Sequence, residues 1–344
     1  MKKRLKALFY GVTHEHAPGK LATLRRLADD YEVVAVVDDR ERTGWTFQDK
    51  IDLSGMNVVG EAEADARLAA LAEDVDVAFV EVANGRLMEI ASRFADLGVP
   101  MHCDKPCGGQ MEPYRTIVGN CRAKNLPFQI GYMYRGNPAL RWLWEFAADG
   151  GLGEVSFVEA DMNHDYGYPA ADYGRYLAQF GGGIFYNLGC HLVDAVLPFV
   201  KGGCDSAEVA LDAAPGYPQD SPTSAFATLR FGGATVVLRT ACGMGGGILA
   251  RRLRVDGTLG TADLCPIERF DGEELKLTLT LKGKDQKVMS FGVQDDRYAA
   301  QLIDLACVVR GEKANDQDYD RDLTVHGILL ETIANARRTA QKRG

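Results

Sequence analysis

The first third of the chain repeats one pattern. A short apolar run is followed by a polar turn and then by a segment with apolar residues three and four apart. "KALFYGV" leads into "APGKLATLRRLADD", "YEVVAVVDD" is followed later by "EADARLAALAED", and "VDVAFVEVA" leads into "RLMEIASRFADLG". Gly98 stops that last helix before "VPMHCDKP" runs into a proline turn. Apolar runs without alternation are strands buried on both faces, and three–four spacing marks helices with one buried face. Strand and helix in strict succession predict a parallel, doubly wound sheet with helices on both sides. Ligands of such sheets bind beyond the carboxyl ends of the strands, where the strand order reverses. Functional side chains are therefore expected just after the strands.

The texture changes near residue 150. "GEVSFVEADMN", "TSAFATLRFGGATVVLRTACGM", "RRLRVDGTLGTADLCP" and "LKLTLTLKGK" alternate or carry hairpin turns, which predicts a large, mostly antiparallel open sheet with one covered face. Helical patterns lie across "IFYNLGCHLVDAVLPFV", "DRYAAQLIDLACVVRG" and "VHGILLETIANARRTAQKRG". The expected division is a dinucleotide-binding (Rossmann) domain over 1–130 and a second α/β domain over 131–344. A chain of 344 residues is long enough to give each its own core. Its net charge of −9 gives no electrostatic reason to expect nucleic acid or an anionic membrane as partner. No apolar run approaches a membrane span, and the basic-then-apolar start is too short for a signal peptide. Eight cysteines are scattered without a repeated C-x-x-C, which suits reduced thiols and a cytoplasmic setting.

The turn after the first strand, "GVTHEHAPGK", departs from the G-x-G-x-x-G dinucleotide fingerprint. Gly11 is present, but Thr13 and His16 stand where the second and third glycines belong. Read as a reshaped phosphate turn, Thr13 would donate its hydroxyl to a pyrophosphate, and His14 or His16 a ring N–H. Pro18 costs nothing in the first helical turn, and helix-terminal N–H groups would face the anion. Asp38 ends the second strand where an acid bonds the adenosine ribose, favouring NAD; Arg40 beside it could admit the 2′-phosphate of NADP. The His-x-His pair also suits metal hydrolases, since Zn²⁺ accepts two or three histidines (His14, His16, His102) and a carboxylate. No full ligand set follows at the other strand ends, so no metal is expected.

Taken together, Gly11, Asp38, Asn84 in "VANGRL", "HCDKPCGG" at 102–109, "GYMYRGNPALR" at 131–141, "GGGIFYNLGCHLVD" at 181–194 and "DGTLGTADL" at 256–264 resemble the glucose–fructose oxidoreductase/inositol dehydrogenase (Gfo/Idh/MocA) family over nearly the whole chain. The resemblance implies nicotinamide chemistry on sugars or cyclitols, and an open sheet that makes the oligomer contact of a homodimer or homotetramer. It maps the family's Glu-Lys-Pro onto Asp104-Lys105-Pro106, with Lys105 catalytic, Asp104 and Pro106 near the cofactor, and Pro106 a candidate for a cis bond. It makes His191, eight residues past the glycine triplet 181–183, the acid/base histidine. Asn187 stands where many relatives carry Asp, and a helix would put it on the face of His191 at i and i+4. Asn84 and Arg135 are implied near the cofactor. Leu87 replaces a polar residue of the family pattern. Asn163 and Arg175 are softer candidates for sugar hydroxyls, the latter in a loop before the triplet.

Three functions follow in order. The first is an NAD(P)-dependent dehydrogenase oxidising a secondary alcohol of a sugar, sugar acid or cyclitol. The second is an enzyme that retains NAD and cleaves a glycoside, or acts as a lyase, without net redox change. The third is a cofactor-free sensor, or a metal-dependent hydrolase using His14 and His16.

Overall fold

The computed structural model describes residues 2–42, 51–164 and 169–343. They form two compact units: Met1–Met133 with Tyr298–Leu323, and Tyr134–Arg297 with Thr324–Gly344.

The first unit begins with β1 (Leu5–Tyr10), α1 (Ala17–Arg26), β2 (Tyr31–Asp38), β3 (Val58–Gly60), α2 (Glu61–Ala66), α3 (Leu68–Glu73) and β4 (Val77–Val80). It continues with α4 (Leu87–Leu97), β5 (Met101–Cys103), α5 (Met111–Ala123) and β6 (Phe128–Ile130). All six strands run parallel in the order β3-β2-β1-β4-β5-β6, so the order reverses between β1 and β4. This is the doubly wound sheet that the apolar runs predict: β4, β5 and β6 are buried along their whole length. Gly98 ends α4 at φ +74°, a left-handed stop suited to glycine. Two details differ from expectation. The short β3 carried no clear apolar run, and the helix read over "EADARLAALAED" is broken at Arg67 (φ −128°) into α2 and α3.

In the second unit Asn137 caps α6 (Pro138–Ala148), its side-chain oxygen accepting from the amides of Ala139 and Leu140. Then come β7 (Val155–His164), α7 (Ala170–Ala178), α8 (Cys190–Val196), β8 (Ser206–Asp212), β9 (Ser224–Phe231), β10 (Ala234–Cys242), β11 (Arg252–Gly257), β12 (Gly260–Leu264), β13 (Glu274–Leu281) and β14 (Lys287–Val293). The eight strands lie in the order β14-β13-β12-β11-β7-β10-β9-β8, antiparallel except for the central β7–β10 pair. The expected open sheet is observed, with β8 and β14 added. Along β7, Val158, Ala160, Met162 and His164 face the core, while Phe157 and Glu159 line the more open face.

Arg175, expected in a loop, lies on α7. Two glycines of the triplet stand against protein. A Cβ on Gly182 would meet the Ile333 side chain at 2.5 Å, and one on Gly183 (φ +49°) would collide with Pro222.

The chain ends with α9 (Ala299–Val309) and α10 (Tyr319–Arg343). Residues 298–323, expected in the second domain, pack with the first unit instead. The Tyr31 hydroxyl donates to the Leu302 carbonyl at 2.5 Å, Gln301 Nε2 to the Tyr132 carbonyl at 2.8 Å, and the Tyr319 hydroxyl to the Leu126 carbonyl at 2.8 Å. The other end of the expected boundary, 130/131, falls within three residues of Met133. No helix among the described residues is long and apolar enough to cross a membrane.

Candidate functional site

In the first unit the candidates converge on the carboxyl ends of β1, β4 and β5. Gly11 has φ +95°, and a Cβ there would stand 2.6 Å from the Val82 amide nitrogen, so only glycine lets the β1 turn pass so close to the segment after β4. Beyond it, the Val12 amide donates to Asp39 Oδ1 at 2.8 Å and the Thr13 hydroxyl to Asp39 Oδ2 at 2.5 Å. Asp39 is buried, and burial raises its carboxyl above the ordinary range against these bonds. Asp38 is instead clasped by the Arg40 guanidinium, which holds its carboxyl low.

The two histidines are also committed. His14 Nδ1 accepts from the His16 amide at 3.1 Å, which fixes the tautomer: Nε2 carries the hydrogen and donates to the Lys105 carbonyl at 3.0 Å. Burial drives the His14 pKa down to about 3, so the ring is neutral. His16 Nδ1 lies 3.1 Å from both oxygens of Asp104. The side chains expected to donate to a pyrophosphate are thus engaged inside the turn: Thr13 bonds Asp39, His14 the Lys105 carbonyl, and His16 lies against Asp104. The amides of His14 and Ala17 are likewise bonded, to Glu81 and His14 carbonyls.

Lys105 is fully buried in the turn after β5, before a cis bond to Pro106. Its carbonyl accepts from His14 and, at 3.3 Å, from Asn84 Nδ2, and its amide donates to Asp104 Oδ1 at 2.7 Å. Asn84 and Asp104 therefore hold the lysine backbone. The Lys105 ammonium donates to Glu15 Oε1 at 3.0 Å, with the two side chains 0% and 2% exposed. Sequence reasoning passed over Glu15, and also Lys20, whose buried Nζ donates to Asp104 Oδ2 at 2.6 Å and to Glu81 Oε1 at 2.9 Å. For Asp104, burial opposes ionisation, but His14, His16 and Lys20 hold it well below the carboxylate range. Glu81 goes the other way: burial, with Asp104 beside it, raises it well above the usual value despite Lys20.

This donor set argues against a metal. His14, His16 and Asp104 bring ligand atoms within 4.8 Å of one another. Yet His14 is held by hydrogen bonds at both ring nitrogens, and the Lys20 ammonium lies against Asp104 where a cation would sit. His102, the other histidine considered, points to Gln129 at 2.9 Å. A chelator is expected to leave the melting temperature unchanged. Stoichiometric zinc in the purified protein, with a lower Tm on its removal, would contradict this.

The second unit holds the other candidates. The chain passes through a π-helical turn, Phe185–Gly189, before α8, a wide turn of the kind that recurs at functional sites. Asn187 lies in that turn and His191 in the helix after it, both buried. The Asn187 amide reaches the Tyr173 hydroxyl at 3.5 Å, and the His191 ring packs 5.8 Å from Tyr134, whose hydroxyl donates to Glu268 Oε1 at 3.2 Å. Asp194 is taken by Arg135 through Nε at 3.0 Å and Nη2 at 2.7 Å, which makes that pair an anchor of α8. The pleat of β7 puts Asn163, itself buried, on the face of Asp161, opposite that of His164. His164 faces inward, its ring 6.3 Å from Tyr173. Arg175 sits on α7 with its side chain 72% exposed, beside Asp172.

Residues 140–263 match the family model described as the GFO/IDH/MocA C-terminal domain. Over that segment the chain is similar to proteins of the Gfo/Idh/MocA family. Its similarity to the rhizopine catabolism protein MocA of Rhizobium meliloti is 28% identity over 149 residues, 42% of this chain and 45% of that protein. Its similarity to a 2,7-anhydro-N-acetylneuraminate hydratase of Mediterraneibacter gnavus is 24% over 186 residues, 53% and 46% of the two chains. The chain thus spans under half the length of each of these curated relatives. Two solved structures share the fold over nearly their whole length. An aldose-aldose oxidoreductase from Caulobacter crescentus, complexed with glycerol, superposes with TM-score 0.75 at 19% identity, covering 98% of both chains. An inositol dehydrogenase homologue from Azotobacter vinelandii, complexed with NADH and myo-inositol, gives 0.75 at 14%, covering 98% of this chain and 96% of its own.

Proposed function

We propose that the chain is an NAD(P)-dependent oxidoreductase acting on a secondary alcohol of a sugar, sugar acid or cyclitol. The observation that carries this reading is Lys105, a buried ammonium at the carboxyl end of β5, held by its backbone through His14, Asn84 and Asp104, in a chain whose residues 140–263 match the GFO/IDH/MocA C-terminal domain. The fit to a nicotinamide cofactor is partial. The order reversal between β1 and β4, Gly11 and the acid beyond β2 suit a dinucleotide, whereas the turn's side chains are spent internally. Asp39, the acid beyond β2 that sits against the glycine turn, is the proposed ribose acceptor, a role that requires it to exchange its bonds to Val12 and Thr13 for the ribose hydroxyls. The hold of Asp38 on Arg40 favours NAD over NADP. A bound nicotinamide would supply the hydride acceptor for the alcohol carbon. Lys105 steadies the oxygen as its charge grows, and His191 is the proposed proton acceptor. His164 and Tyr173 are proposed for hydroxyl recognition in place of Asn163 and Arg175.

The test is a panel of polyols, sugars and sugar acids, read by the absorbance of reduced nicotinamide, with Asp39→Asn alongside. Turnover on at least one substrate is expected. Asp39→Asn should weaken cofactor binding by roughly tenfold through lost charge-assisted hydrogen bonds. No turnover with any alcohol would count against net oxidation. The relative whose name is hydratase gives the redox-neutral reading its support. Product formed while the cofactor's absorbance is unchanged would favour that reading.

The open face of the second unit's sheet is proposed as a homo-oligomer contact. It carries an exposed Phe226 (51%) and half-buried Val237 among charged residues such as Arg239, Arg252 and Asp263. Light scattering should give a dimer or tetramer, and Phe226→Glu should shift it toward monomer. A wild-type monomer would end this assignment. Eight free thiols fit the cytoplasmic setting proposed with it.

A further inference from the structure

We propose that Glu15 is a positioning residue that fixes the charge of Lys105, so that Lys105 acts as a standing cation and not as a base; this rests on the role given to Lys105 above. Glu15 comes from the β1 turn, at a position between the second and third glycines of an ordinary fingerprint. Here the turn folds its side chain inward, 2% exposed, with Oε1 3.0 Å from the Lys105 ammonium. Burial works against a charged carboxyl, but Lys105, His16 and His14 hold Glu15 at about 2, so it is a carboxylate across the working range.

A lysine buried without a counter-ion gives up its proton readily, with its pKa falling by several units. What faces Lys105 decides whether that happens. His14 and His16, from the same turn, are both lowered by burial and carry no charge near neutrality. Asp104, next in the chain, is shared among the Lys20 ammonium, His16 and the Lys105 amide. Glu81, after β4, is bonded to Lys20 and raised toward its neutral form. Lys20, from α1, adds a second positive charge that Asp104 and Glu81 absorb. Among the described residues, Glu15 brings a carboxylate into contact with the Lys105 ammonium. An ammonium so paired can donate to a developing alkoxide but cannot take the alcohol's proton, which must go to another group. Glu15, from the altered turn, would thus set the division of labour at the site.

The test is an NMR titration of lysine side-chain signals in the full chain, with Lys105 assigned from Lys105→Arg. In wild type Lys105 should remain an ammonium through about pH 9, and Glu15→Gln should lower its midpoint by roughly 1–3 in pH. Glu15→Asp should recover part of that drop. Titration of Lys105 below neutrality in wild type, or an unmoved midpoint in Glu15→Gln, would overturn the proposal. If Glu15→Gln does not fold, the wild-type midpoint and the partial drop in Glu15→Asp decide, an unmoved midpoint again overturning it. Calorimetric titration of the same samples with NAD(H) separates the two claims. A shifted midpoint in protein that binds no cofactor would uphold the Glu15–Lys105 assignment while ending the oxidoreductase reading.

Discussion

Lys105→Ala is expected to lower kcat by roughly a hundredfold or more, and His191→Ala by a similar factor, with the Kd for the cofactor nearly unchanged. Oxidising an alcohol builds charge on its oxygen only as the proton and hydride depart. A cation that steadies the oxygen and a group that takes the proton therefore act mainly in the transition state. Lys105 is buried and gripped at its backbone by three residues, so truncation removes the ammonium without freeing the turn. His191 is enclosed by α8 and Tyr134. Asn187→Asp probes the same region. A carboxylate facing His191 would raise its pKa and move the acidic limb of the pH–rate profile upward. In the structure the Asn187 amide reaches Tyr173, so an unmoved limb would mean that residue 187 serves Tyr173 rather than His191. Unchanged kcat in either alanine variant would remove that residue from the mechanism.

The second large effect concerns stability. Lys20→Ala is expected to cost about 3–5 kcal/mol, because it leaves two buried carboxyl groups without their shared ammonium. Lys20 is fully buried, 2.6 Å from Asp104 and 2.9 Å from Glu81, with the Tyr298 ring over its Nζ at 5.7 Å. The pH dependence has a definite sign. The folded-state pKa of Asp104 is depressed, so its stabilisation is present above the unfolded value near 4 and is lost as pH falls through the folded value. Glu81 is raised, so its preference for the fold is present below its unfolded value and is lost as pH rises through the folded one. The difference between wild type and Lys20→Ala should therefore be largest near neutrality and shrink in acid. Denaturant melts at several pH values check this; a loss under 1 kcal/mol at neutral pH would contradict it.

Periodicity made the parallel sheet legible because β4, β5 and β6 are buried end to end and leave no other reading of their apolar runs. It also put Gly11 and Lys105 at strand ends, while the role expected of Lys105 came from the family resemblance. What escaped it depended on contacts between distant segments. Glu15 gains its meaning only once the β1 turn meets Lys105, ninety positions on. Asp38 and Asp39 are adjacent acids, and only the turn's geometry shows that the second braces Val12 and Thr13. Asn163 and His164 differ by one step of the pleat, which decides the face of the sheet. The glycines at 182 and 183 answer to Ile333 and Pro222, far along the chain. The return of residues 298–323 to the first unit rests on hydrogen bonds to Leu126, Ile130 and Tyr132 that no local pattern encodes.

The central claim is that this altered turn still serves a nicotinamide dinucleotide. Isothermal titration of NAD(H) and NADP(H) into the purified wild-type chain tests it most directly. One-to-one binding is predicted, tighter for NAD(H), because Arg40 is held by Asp38 rather than offered to a 2′-phosphate. Absence of heat and of competition with either cofactor, in protein shown to be folded, would contradict it.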